Sequence, residues 1–314
     1  MSQETQLNSQ QPLEPNRADQ LAQSGTQVKP GFRAGLAVLV GRTNAGKSTL
    51  LNRILGTKVS IVTPKPQTTR DPIHGVVHMP EGQIVFVDTP GFFKTHPSKL
   101  VDQLHKKARE ALQDIDVVVH VADPTRAIGP EDEMVLEALS VVTKPKILCL
   151  SKCDVSERPF LDEWRKRADE YVEVVETSGV TGAGVEELKQ AILRHLPEGP
   201  PLYPEDQVTN ATREFLISEL IREKVYLMTG QEVPYRTAVE VDLVRERTDR
   251  NGNPLIEIKA SILTANHRYQ RMLIGAGGRK VKEIGTAVRK ELEQSLGKKV
   301  FLDLDVIVDK RLLI

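Results

Sequence analysis

Gly41-Arg42-Thr43-Asn44-Ala45-Gly46-Lys47-Ser48 fits the spacing G-x-x-x-x-G-K-[ST]. Ahead of it, Ala34–Val40 is a mostly apolar run of strand length. Behind it, Thr49–Leu55 carries apolar residues at helical spacing. The glycines therefore fall at a strand-to-helix turn. Gly41 and Gly46 let the backbone aim N–H groups at a phosphate where side chains would collide. A helix starting near Lys47 adds the positive end of its dipole. Arg42, Thr43, Asn44 and Ala45 complete the loop and Thr49 its first helical turn, so the candidate phosphate cradle runs from Gly41 to Thr49. Lys47 can reach the outer phosphates, and the Ser48 hydroxyl is placed for Mg²⁺.

From here to about Leu196, short apolar runs alternate with amphipathic stretches. Strands are expected at Ala34–Val40, Ile73–Met79, Gln83–Val87, Val117–Ala122, Lys146–Leu150 and Val172–Val175. Helices are expected at Lys47–Leu55, Lys99–Gln113, Glu131–Val141, Phe160–Glu170 and Val185–Leu196. This is an α/β pattern, a mostly parallel sheet flanked by helices. Pro80-Glu81-Gly82 joins two strands as a hairpin, which makes the sheet mixed. Ligand loops belong at the carboxyl ends of such strands.

Further polar motifs fall at those ends. In Asp88-Thr89-Pro90-Gly91, the carboxylate can hold a water of Mg²⁺ and the Gly91 N–H can meet a γ-phosphate. Thr63–Arg70 is polar and broken by proline; Thr69, or alternatively Thr68, can complete the Mg²⁺ shell. In Ser151-Lys152-Cys153-Asp154, the Asp154 carboxylate can accept two hydrogen bonds from guanine that adenine cannot offer. The Lys152 stem can pack over the base, and Ser178-Gly179-Val180 can offer N–H groups to the guanine oxygen.

Bulk properties set bounds. A chain of 314 residues has room for two cores, and 43 basic against 43 acidic residues predict no partner from net charge. Two cysteines, Cys149 and Cys153, point to a reducing compartment. No apolar run approaches a membrane span and no signal core opens the chain, so a cytoplasmic protein is expected. Residues 1–31 are rich in Gln, Ser, Asn and Pro and read as a disordered tail. The expected units are 32–197, a linker at 198–208 beginning in Pro197-Glu198-Gly199-Pro200-Pro201, and 209–314.

The last unit reads α-β-β-α-α-β: a helix over Thr209–Thr229 capped by Gly230, strands at Ala238–Val244 and Leu255–Leu263, a helix at Tyr269–Ile274, a basic helix to Leu296, and a strand at Val300–Val308. Between its two consecutive helices lies Ile274-Gly275-Ala276-Gly277-Gly278-Arg279-Lys280, which contains G-x-x-G. From Arg271 to Lys299 there are eight Lys or Arg and three Glu, a local basic footprint. The candidate RNA contacts are Ile274 to Lys280, with Lys282 and Arg289.

The nucleotide motifs, in this order and spacing, resemble a translation-factor-type GTPase domain, and the G-x-x-G unit resembles a type II KH RNA-binding domain. The pair resembles the Era family. Stretches that carry the likeness include Gly41–Leu55, Gln67-Thr68-Thr69-Arg70, Asp88–Gly91, Asp132–Leu136, Tyr203–Thr209, Glu219–Lys224 and Pro234-Tyr235. The resemblance implies GTP/GDP and Mg²⁺ as ligands, with a candidate catalytic set of Asn44, Lys47, Thr69 and Gly91. It also implies that Asn44 helps hold a K⁺ ion beside the phosphates. The implied activity is slow GTP hydrolysis coupled to binding of single-stranded small-subunit ribosomal RNA near its 3′ end, in small-subunit assembly. A monomer is implied, as is peripheral membrane contact, for which no residue here speaks. The alternative is an RNA-binding module whose nucleotide site only binds. Four positions depart from pattern: Ser151 replaces Asn, which predicts a weaker tether from base loop to phosphate loop; Gly179 replaces Ala; Phe92 replaces the Ras-type Gln; and Asp305 replaces Trp.

Overall fold

A computed structural model describes residues 30–63, 73–88, 110, 112, 114–230, 232–249 and 251–310. The expected helix at Lys99–Gln113 lies almost entirely outside these residues.

Among the described residues, two sheets organise the chain. The first contains β1 (Arg33–Val40), β2 (Ile73–Met79), β3 (Gly82–Asp88), β4 (Val117–Ala122), β5 (Lys146–Leu150) and β6 (Glu173–Glu176), in the order β2-β3-β1-β4-β5-β6. Only β2 runs antiparallel, because a two-residue turn joins it to β3 with Met79 opposite Gly82. Helices α1 (Lys47–Leu55) and α4 (Val185–His195) cover one face, where Leu50, Leu51, Leu188 and Ile192 bury against Leu39, Phe86 and Ile147. Helix α2 (Pro130–Ser140) and the short α3 (Leu161–Arg165) cover the other through Val135, Leu139 and Trp164. A strand buried on both faces reads as a continuous apolar run, which is why Val117–Ala122 and Lys146–Leu150 match their expected limits.

The expected helix Phe160–Glu170 is broken into α3 and a 3₁₀ turn, Ala168–Glu170. Fully buried Trp164 makes an edge-on contact with His120 at 5.3 Å and anchors this short segment.

The second sheet, β7 (Thr237–Thr248), β8 (Pro254–Thr264) and β9 (Lys299–Val308), is covered by α5 (Arg213–Met228), α6 (His267–Ile274) and α7 (Arg279–Leu296). β8 pairs antiparallel with β7 and parallel with β9, the arrangement expected of the type II KH fold. α5 starts four residues later than expected, where Thr212 accepts from the Phe215 N–H as N-cap. It ends at extended Thr229, whose N–H donates to the Val225 carbonyl, so Gly230 is not the cap.

The segment between the sheets is pinned to β2 and β3. The Gln83 carbonyl oxygen accepts from the N–H groups of Leu202 and Tyr203 at 2.7 and 2.9 Å, and its amide donates to the Tyr203 carbonyl at 2.7 Å. The Tyr203 hydroxyl lies 2.8 Å from His74 Nδ1, and the Val76 N–H donates to the Val208 carbonyl. Chain 202–210 thus continues the sheet past its β2 edge, and burial lowers the pKa of His74.

Candidate functional site

Between β1 and α1 the chain turns through Gly41–Gly46. Asn44 adopts a left-handed φ of 62°, rare for a residue with a side chain but tolerated by Asn. Gly46, at φ 103°, caps α1 with no side-chain hydrogen bond, so the first-turn N–H groups face outward at the carboxyl end of the sheet. At Gly41 a Cβ would lie 2.4 Å from the Val121 carbonyl oxygen, so the loop sits directly on β4. The Lys47 ammonium donates to the Gly41 and Arg42 carbonyls at 2.9 and 2.8 Å, inside the ring of the loop. Burial drives its pKa down to about 8, against the pull of Asp88 and Glu131.

Arg42 keeps its backbone in the loop, but its side chain points away from it. The guanidinium forms buried ion pairs with Asp123 at 3.3 Å and Asp132 at 3.1 Å. Burial raises the Asp132 pKa, although its carboxylate also accepts the Gly129 N–H at the start of α2. Asp123 reaches the base loop as well, accepting from Lys152 Nζ at 2.6 Å. One carboxylate at the end of β4 therefore joins the phosphate loop to the base loop.

At the base end, Lys152 has a φ of 60° and Asp154 is exposed. Buried Ser151 has its hydroxyl 2.7 Å from the Ala45 carbonyl and 2.9 Å from that of Ala122. Ser151 thus keeps a direct bond to the phosphate loop, with one hydroxyl proton for two carbonyls where Asn would offer two amide protons. Ser178, also buried, accepts from the Val180 and Thr181 N–H groups. Gly179 lies flat on α1: an added Cβ would meet Leu50 N at 2.9 Å, and Arg53 Nε donates to the Gly179 carbonyl at 3.1 Å.

Ser48 and Asp88 converge in front of α1, with Ser48 Oγ 3.4 Å from Asp88 Oδ2. A hydroxyl and a carboxylate are hard oxygen donors, and two such groups beside a phosphate cradle suit Mg²⁺, which keeps several waters. Thr69 and its alternative Thr68, and Thr89, Pro90, Gly91 and Phe92, lie outside the described residues.

The second candidate surface is the loop between α6 and α7. Gly275, Gly277 and Gly278 all have left-handed φ, at 70°, 60° and 77°. A Cβ at Gly275 would stand 2.8 Å from Lys280 Cβ, whereas at Gly277 and Gly278 nothing lies within 4 Å. The first glycine closes the turn, and the other two leave an open backbone for a ligand to approach. Gly278 caps α7 without a side-chain bond. Beside it, Val281, Lys282, Gly285, Thr286, Arg289, Leu302 and Leu304 line a groove of about 300 Å³ between α7 and β9. Lys282 and Arg289 are seven residues apart and share a helix face. Ala276, Arg279, Lys282 and Arg289 are exposed; Ile274 and Lys280 are partly so, and Lys280 pairs with Glu283 at 3.0 Å.

A family model described as a 50S ribosome-binding GTPase matches residues 36–152, and a KH domain model matches residues 232–312. The GTPase Era of Halothermothrix orenii is 39% identical over 281 residues, 89% of this chain and 94% of that one. The GTPase Era of Geobacter metallireducens is 40% identical over 282 residues, 89% and 93% of the two chains. The chain belongs to the Era family of GTPases. Among solved structures, Era in complex with MgGDPNP and nucleotides 1506–1542 of 16S ribosomal RNA superposes with a TM-score of 0.80 at 38% identity, covering 88% of this chain and 94% of that one. An Aquifex aeolicus Era variant bound to GDP·AlF₄⁻ also gives 0.80, at 37% identity over 90% and 97%.

In this Era-family GTPase, several site residues carry no sequence signal. Asp123 belongs to no motif, and its place directly after the strand Val117–Ala122 was the one signal that could have pointed to it. Ser60, whose hydroxyl donates to Asp88 Oδ2 at 2.6 Å, lies in an unremarkable Val-Ser-Ile-Val run. Gln83, Tyr203 and His74 form the clasp on β2 and β3, but only Tyr203 fell in a stretch that the resemblance singled out.

Proposed function

We propose that this GTPase is a nucleotide-driven switch in small ribosomal subunit assembly that holds a single-stranded segment near the 3′ end of small-subunit ribosomal RNA. The observation that carries the reading is one chain bearing both a braced phosphate loop and an open glycine loop beside a basic groove. Its similarity to an Era structure in complex with MgGDPNP and 16S ribosomal RNA supports the choice of ligand. Residues 32–197 form the nucleotide unit, 209–314 the RNA unit, and 198–208 the join. A cytoplasmic location fits that partner; among the described residues, no helix is long and apolar enough to cross a membrane.

The roles follow from the chemistry. N–H groups of Gly41–Thr49 surround the phosphates, and Lys47 trades its two carbonyl partners for phosphate oxygens. Asp154 reads guanine, Lys152 flanks the base, and Ser178–Val180 present backbone donors to it. Ser48, Asp88 and Thr69 hold Mg²⁺, which when bound neutralises charge developing on the phosphate oxygens. The Gly91 N–H meets the γ-phosphate. Asn44, left-handed within the loop, holds K⁺ beside the phosphates. At the other end, Gly275–Gly278 accept the RNA backbone closely, while Lys282 and Arg289 neutralise phosphates along the groove.

Crosslinking the protein to total RNA, with GDP or a non-hydrolysable GTP analogue, tests the reading. Enrichment of the small-subunit 3′ end with the analogue is expected. Equal recovery of unrelated RNAs in both states would overturn it.

A further inference from the structure

The segment Gly56–Thr63 leaves α1 and touches both halves of the molecule within three residues. Ser60 Oγ donates to Asp88 Oδ2 at 2.6 Å, and Lys58 Nζ lies 2.8 Å from Glu223 Oε1 on α5 and 2.6 Å from Glu291 Oε1 on α7. The residue between them, Val59, is buried. The Asn52 side chain clamps the turn, accepting from the Val59 and Ser60 N–H groups at 2.9 Å each and donating to the Ser60 carbonyl at 2.7 Å. Asn52 thereby fixes the shape of the turn, because its backbone donors and acceptor meet a single amide on α1.

At its far end the grip is ionic. Glu223 is buried, and Lys224 also pairs with Glu291, so Lys58 closes a four-member charge cluster between the nucleotide unit and helices α5 and α7. Burial pulls the Lys58 pKa down, but hydrogen bonds and charge from Glu223 and Glu291 outweigh it and leave it raised. A cavity of about 410 Å³ lies beneath the turn, with Leu216, Ile217, Leu220 and Leu292 in its wall, and gives the turn room to shift.

We propose that Gly56–Thr63 is the coupling element of the switch: Ser60 is a positioning residue for the Mg²⁺ carboxylate Asp88, and Lys58 transmits that position to the RNA-binding helix α7. This rests on the reading of the preceding section. Asp88 Oδ2 receives Ser60 at 2.6 Å and Ser48 at 3.4 Å. A Mg²⁺-bound water accepted by either oxygen of this carboxylate draws on the charge that also holds Ser60, so a change at the metal side of Asp88 is felt at Ser60. A displacement of about 1 Å is enough to take an ammonium beyond the contact range of a charge-assisted hydrogen bond. The two contacts of Lys58 would then be lost together, leaving α7 tied to α5 through Lys224 but no longer to the nucleotide unit through Lys58.

Two variants of the full chain test this. For Ser60→Ala, the Mg²⁺ concentration that half-maximally slows release of a fluorescent GDP should rise by roughly threefold or more, with release in EDTA unchanged. For Lys58→Met, the ratio of affinities for a 3′-end ribosomal RNA oligonucleotide with GDPNP and with GDP should collapse to within about twofold. A wild-type ratio of about fivefold or more is expected for a coupled pair of sites. Exchange of the pair, Lys58→Glu with Glu291→Lys, should restore part of that ratio, which a general loss of fold would not do. If Lys58→Met keeps the wild-type ratio, or Ser60→Ala leaves the Mg²⁺ response unmoved, the coupling element is wrong while the switch stands. If wild-type protein binds the oligonucleotide equally in both states, the switch itself fails, and the Lys58 half of the proposal with it.

Discussion

The Ser151 hydroxyl lies 2.7 Å from the Ala45 carbonyl, so the loop after β5 is bonded directly to the phosphate loop between β1 and α1. Removing it leaves a carbonyl with one fewer donor in a closed site, at a cost of about 1–2 kcal/mol. Ser151→Ala is expected to weaken GDP binding roughly fivefold to thirtyfold, measured by dissociation of a fluorescent GDP. Unchanged release would mean that Ala45 is held by other contacts.

Asp123 is the second brace. Burial raises its pKa, but Lys152 and Thr125 outweigh burial and hold the carboxylate below its ordinary value. Asp123→Asn leaves the buried Arg42 guanidinium with Asp132 as its remaining ion-pair partner. It should destabilise the nucleotide unit by about 2–4 kcal/mol in urea unfolding. The pH dependence has a definite sign. A depressed folded pKa contributes stability that is present above the unfolded carboxylate value of about 4 and is lost as pH falls through the folded value. Asp123→Asn should remove that portion of the acid sensitivity.

Lys47 gives the alkaline counterpart. With its pKa near 8, the ammonium starts to lose its proton at mildly alkaline pH, whereas a lysine in the unfolded chain holds it to 10.5. The unfolded state therefore binds more protons between these values, and stability without nucleotide rises with pH across that window. Phosphate favours the charged form, so nucleotide affinity moves the opposite way. GDP binding should weaken above pH 8 by up to about tenfold per unit and be accompanied by proton uptake. Calorimetry at pH 8.5 in buffers of different ionisation enthalpy measures that uptake directly.

Asp154 is exposed at the mouth of the base loop, free of the buried braces around it. Asp154→Asn exchanges a two-fold acceptor for a group that also donates, which suits xanthine, whose second carbonyl replaces the guanine amine. Preference should shift from GTP towards XTP by at least about tenfold, with Tm unchanged, in a competition assay.

On the RNA side, Lys282→Ala and Arg289→Ala should each weaken oligonucleotide binding at low salt. Each should also flatten the plot of log affinity against log salt by about 0.7, the value for one phosphate contact on a single strand. A variant that lowers affinity without changing the slope would exclude a phosphate contact at that position.

Much of the fold could be read from local pattern. Lys47–Leu55, Ile73–Met79, Val117–Ala122 and Lys146–Leu150 coincide with their expected limits, because each is an apolar or amphipathic run cut off by glycine, proline or charge. Where local signals competed, the expectation failed. Phe160–Glu170 has helical periodicity throughout, yet packing of Trp164 against His120 and the turn at Ala168 divide it. Gly230 looked like a cap, but Thr229 ends the helix with its own backbone and hydroxyl bonds to Val225.

The sequence by itself determined the chemistry on offer: a phosphate loop at Gly41–Ser48, a loop carboxylate at Asp154 whose two oxygens suit guanine, and a glycine loop followed by a basic helix at Gly275–Arg289. Their spacing is local, and spacing within one turn dictates backbone geometry. The tertiary structure alone decided what holds these parts in register. Ser151 meets Ala45, Asp123 joins Arg42 to Lys152, Gln83 clasps Tyr203, and Lys58 reaches Glu291, a residue 233 positions away in the chain. Periodicity reports which face of a segment is buried. It does not report which distant segment lies against that face, and these contacts exist only where the tertiary fold brings remote segments together.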